Sequence, residues 1–77
     1  MKYVFEDIAG ERFVGDTYAQ VVSEMRKAAW QAPGKYAYME EVADRVVQLD
    51  PCSQIDIRSA PQFIKSLVAY QWLRRIK

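Results

Sequence analysis

Three carboxylates, Glu40, Glu41 and Asp44, fall within one short stretch of the chain. Paired acids can pass protons as acid and base, or hold Mg²⁺. Here they lie on the polar side of an amphipathic helix, where water keeps them ionised. That placement favours a solvated face or a docking surface for a basic partner over a reaction centre. Cys52, between Pro51 and Ser53, is the single thiol. A nucleophilic thiol needs an activating base or a helix N-terminus. The chain has no histidine, and the next helix cap, Ser59, is seven residues on. Cys52 therefore reads as an inert turn thiol.

The absences extend further. Without histidine there is no histidine-based triad, no imidazole acid–base step and no imidazole metal site. One cysteine alone falls short of a zinc site. The three glycines, at 10, 15 and 34, form neither G-x-x-x-x-G-K-S/T nor G-x-G-x-x-G, so no phosphate-cradling loop is present. The chain is read as a non-enzyme with no cofactor and no metal.

What remains is aromatic and charged. On an ideal helix Trp30 points more than about 100° away from the stripe of Tyr18, Val22, Met25 and Ala29. It either packs under the Pro33-Gly34 turn and against the following helix, or is exposed, as interface tryptophans are. Tyr36 and Tyr38 cannot share one helical face, so at least one looks outward; Tyr70 can join them. Trp30, Tyr36 and Tyr38 with Glu40, Glu41 and Asp44 form the candidate partner-binding set. Lys65, Trp72, Arg74, Arg75 and Lys77 form an alternative set, since aromatics among cations can stack bases and contact phosphates. The plainer account of that tail is solubility and compensation of a helix dipole.

These residues need elements to hold them. Lys2 to Glu6 alternate aromatic and β-branched side chains and read as a strand. Turn chemistry around Gly10 leads to a second short strand, Arg12-Phe13-Val14, closed by Gly15. Thr17 and Gln20 fit a capping box opening a helix with the stripe Tyr18, Val21, Val22, Met25, Ala28 and Ala29, ended by Gly34. A second helix runs from Lys35 to Gln48, with the stripe Met39, Val42, Ala43, Val46 and Leu49. Glu41 and Arg45 sit four apart in the favourable order, and Asp50-Pro51 stops the helix. Ile55-Asp56-Ile57 alternates and reads as a third strand. Ser59-Ala60-Pro61-Gln62 is another capping box, opening a third helix with Phe63, Ile64, Leu67 and Val68 on its stripe. The period breaks after Tyr70, and the tail is expected to fold back. The expected architecture is α+β, in the order β-β-α-α-β-α, with a three-stranded antiparallel sheet against about three helices.

The chain has 77 residues, 51% hydrophobic and 27% charged, which makes disorder unlikely and implies one domain over 1–77. At this size roughly 60% of the unfolded surface is buried, enough for one small core. Eleven basic and ten acidic residues give a net charge of +1. Proteins that coat DNA are usually far more basic. No apolar run is long enough to span a membrane, and no secretion signal follows Met1. One unpaired cysteine fits a reducing cytoplasm. A second copy could add stability through an edge strand or an aromatic patch.

The pattern Phe13-Val14-Gly15-Asp16, then Val21-Val22-Ser23-Glu24-Met25, then Tyr38-Met39-Glu40-Glu41-Val42-Ala43-Asp44-Arg45-Val46 resembles small uncharacterised proteins of phages and mobile elements. The resemblance covers most of the chain. It implies an accessory gene and transfers no catalytic residue. The expected function is a small protein-binding module, an inhibitor, adaptor or accessory protein that occupies a partner's surface. The alternative is an accessory protein that binds nucleic acid through the basic C-terminal tail.

Overall fold

The computed structural model describes residues 2–28 and 34–76. Its elements are β1 (Tyr3–Asp7), β2 (Arg12–Gly15), α1 (Tyr18–Ala28), α2 (Lys35–Leu49), α3 (Ala60–Ala69) and β3 (Leu73–Arg75). The strands form one antiparallel sheet in the order β2-β1-β3. The α+β class, the three strands and the three helices are as the sequence predicts.

The β1–β2 hairpin turns where Asp7 and Gly10 dictate. The Gly10 amide donates to the Asp7 carbonyl at 3.1 Å, and Gly10 adopts φ +87°, a conformation that costs glycine little. Oδ1 of Asp7 accepts the Ala9 and Glu11 amides at 3.0 and 2.9 Å, so one carboxylate organises the whole loop. This fixes the register with Phe5 opposite Phe13 and Glu6 opposite Arg12.

The first helix begins at the expected cap. Thr17 Oγ1 accepts the Gln20 amide at 3.1 Å, while Gln20 Oε1 reaches back to the Asp16 amide at 2.7 Å. Gly15 lets this helix approach β2: a Cβ there would lie 2.8 Å from the Val21 nitrogen. Gly34 is the N-cap of α2, in an extended conformation at φ −162°. The last residues expected for the first helix, Ala29 onward, fall outside the described residues.

The position of the third strand is a correction. Ile55-Asp56-Ile57 forms no strand, and the strand beside β1 is Leu73–Arg75, so the element order is β-β-α-α-α-β. The alternation at 55–57 is real, since Ile55 and Ile57 pack against the core. However, the Asp56 amide donates to Ser66 Oγ of α3 at 3.1 Å, so the segment is tied to a helix and not to a strand. The tail takes the sheet edge because α3 ends in a reversing cap. Gln71 is left-handed at φ +67°, the Gln71 amide donates to the Val68 carbonyl, and the Trp72 amide donates to the Leu67 carbonyl at 2.8 Å. This is a Schellman motif, and it sends 73–75 back along β1.

Phe5, Phe13 and Leu73 point from the sheet into one core shared with Val21, Val22, Met25, Met39, Phe63, Ile64 and Leu67. The outer face carries a charge row across all three strands, Arg12–Glu6–Arg74. The two guanidiniums, Arg12 first, hold the Glu6 carboxyl below its ordinary pKa. Among the described residues Ser53 is the buried polar one: its hydroxyl donates to Asp50 Oδ2 at 2.8 Å and accepts the Trp72 indole N–H at 3.4 Å. Among the described residues no helix is long and apolar enough to cross a membrane.

Candidate docking surface

Helix α2 buries one side and exposes the other. Tyr38, Met39 and Val46 face the core. Tyr36 is 59% exposed, and Glu40, Glu41 and Asp44 are exposed with it. The four surround a shallow depression of about 460 Å³, together with Ala37, Arg45 and Gln48. Arg45 Nη2 donates to Glu41 Oε1 at 3.0 Å, which braces the outer face and leaves Glu40 and Asp44 outside that pair. The helix stops at Asp50, in an extended conformation before Pro51.

One member of the expected partner-binding set is not part of this surface. Tyr38 is a core residue, only 9% exposed, with its ring edge-on to Phe63 at 6.4 Å between centroids. Burial, with Asp7 as the next contributor, pushes its hydroxyl up to about 12. Trp30 lies outside the described residues. Tyr70 sits at the C-cap of α3 and does not line the depression.

The basic set is divided. Lys65 and Arg75 meet at a groove of about 310 Å³ lined by Phe5, Tyr18, Ile64, Val68 and Ala69. Arg75 lies over the Tyr3 ring at 5.3 Å, and Tyr3 stacks on Tyr18 at 4.7 Å. Arg74 points to the other side of β3 and pairs with Glu6. Trp72 packs against the core and lines a separate hollow with Arg74, Glu6 and Asp7. Lys77 is outside the described residues.

The structure also exposes residues that the sequence pattern concealed. Leu49, expected on the buried stripe of α2, is 68% exposed at the last residue of the helix. Ile8, in the hairpin turn, is 72% exposed. Both line one apolar groove of about 250 Å³ between α2 and the hairpin. A turn residue and the last residue of an amphipathic stripe carry no sequence signal of sharing a site.

Among the described residues, no group of three His, Cys, Asp or Glu side chains is placed to hold a metal ion. Cys52 is exposed, and its amide donates to Asp50 Oδ1 at 3.2 Å. Comparison with protein-family models, curated proteins and solved structures gives no match.

Proposed function

We propose that this chain is a non-enzymatic protein-binding module that docks through the outer face of α2. One observation carries the reading: Tyr36 stands exposed beside Glu40, Glu41 and Asp44, around a single depression on one helix. A half-exposed tyrosine offers a large contact area at small entropic cost, and the carboxylates select and steer a basic partner. An inhibitor, an adaptor and an accessory protein would all use this mechanism of surface occupancy. The unpaired Cys52 supports a role in the cytoplasm, and the resemblance to phage and mobile-element proteins supports an accessory gene. The test is affinity capture of cell proteins with wild type, Tyr36→Ala, and the double variant Glu40→Lys with Asp44→Lys. The expected result is a partner lost from both variants, the tyrosine change costing more than about 1 kcal/mol of binding. A partner retained equally by all three proteins would remove this surface from the account.

Nucleic-acid binding is the second reading. It is supported by Lys65 and Arg75 converging beside the stacked Tyr3–Tyr18 pair. It predicts an affinity that falls steeply with salt. It is weakened by the diversion of Arg74 to Glu6 and of Trp72 to Ser53.

A further inference from the structure

The exposed aliphatics of a small domain are ordinarily scattered. Ile8 and Leu49 are not: they stand on opposite lips of one groove. Its floor is formed by core side chains, among them Phe13, Leu67 and Leu73. Its long wall is a single stripe of α2, from Tyr38 through Val42 and Val46 to Leu49. At 1.5 Å per residue that stripe is about 16 Å long, or three helical turns. A linear apolar groove of this length suits a row of side chains spaced along a helix better than one compact ligand.

The rim sets the charge of what enters. Asp7 is the carboxylate in the groove's lining, on the hairpin side. Arg45, the cation in the groove wall, is already paired with Glu41. It also borders the acidic depression of α2, so the groove and that depression form one continuous surface. Arg12 and Arg74, the other cations near the hairpin, are held by Glu6.

We infer that the groove between α2 and the β1–β2 turn takes the apolar face of a basic amphipathic helix about three turns long, supplied by a partner protein. This rests on the protein-binding reading and specifies the partner. Aliphatic anchors would cover Ile8 and Leu49, while flanking Lys or Arg would meet Asp7 and the carboxylates of the adjoining depression on α2.

The test is a ¹⁵N–¹H NMR titration of the whole chain with a synthetic helical peptide of about 14 residues, leucine on one face and lysine elsewhere. A matched peptide with glutamate in place of lysine is the control. The lysine peptide is expected to shift the amides of Ile8, Val42, Leu49 and Trp72 saturably. The double variant Ile8→Ser with Leu49→Ser, altered only at exposed positions, should keep a dispersed spectrum and bind about tenfold more weakly or worse. Equal binding by variant and wild type, or equal binding of the two peptides, would overturn the inference. Shifts confined to Tyr36, Glu40 and Asp44 would overturn the groove and leave the α2 docking face standing. Silence in both regions would count against both. Concentration-dependent shifts of the groove amides without peptide would give the groove to a second copy of the chain and overturn it as well.

Discussion

Tyr38 lies two positions after Tyr36, and an α-helix turns by about 200° over that step. One ring therefore faces water and the other faces Phe63. The sequence shows that both cannot point the same way. It does not show which is buried, because that depends on where the sheet and α3 lie. The buried choice has a consequence at high pH. A free tyrosine ionises near 10, whereas burial pushes Tyr38 up to about 12. Its folded-state value is raised, so its contribution to stability is complete below pH 10. It declines as pH rises from about 10 toward about 12, where the unfolded phenol ionises and the folded one resists. Tyr38→Phe removes the titrating group and keeps the ring in the core. Urea-unfolding midpoints measured from pH 8 to 12 should fall less steeply for Tyr38→Phe than for wild type. Parallel declines would mean that Tyr38 is not held neutral by burial.

Helix starts were legible because their chemistry is local. Thr17 with Gln20, and Ser59 with Gln62, form hydrogen bonds across three or four residues, which the sequence displays directly. The third strand was not legible. Leu73–Arg75 contributes one buried apolar residue, and Glu6 and Arg74, which meet across the sheet, are 68 residues apart. Ile55 and Ile57 alternate as a strand does, but their apolar side rests on the core while Asp56 is bonded to Ser66 of α3. What decides the pairing is the reversal after α3, where Gln71 occupies a left-handed position usually held by glycine. A non-glycine residue there costs about 1 kcal/mol. Gln71→Gly should therefore raise stability by about that amount in chemical denaturation, whereas Gln71→Val should lower it. Loss of stability in the glycine variant would contradict the capping account.

Across the whole molecule, a net charge of +1 hides an uneven distribution. Glu40, Glu41 and Asp44 gather on α2, while Lys65 and Arg75 gather at a separate groove beside Tyr18. The sequence identified both sets as candidates. It did not show that Arg74 and Trp72 leave the basic set, or that Ile8 and Leu49 come together, because those facts arise from the sheet edge and the hairpin turn. The two surfaces imply different partners, and a covalent capture tells them apart. Benzoylphenylalanine placed at position 36 on the acidic face, and separately at position 65 on the basic groove, can be irradiated in living cells. The account predicts a discrete crosslink to protein from position 36, insensitive to nuclease. A crosslink only from position 65 that nuclease removes would contradict it and make the chain a nucleic-acid-binding protein.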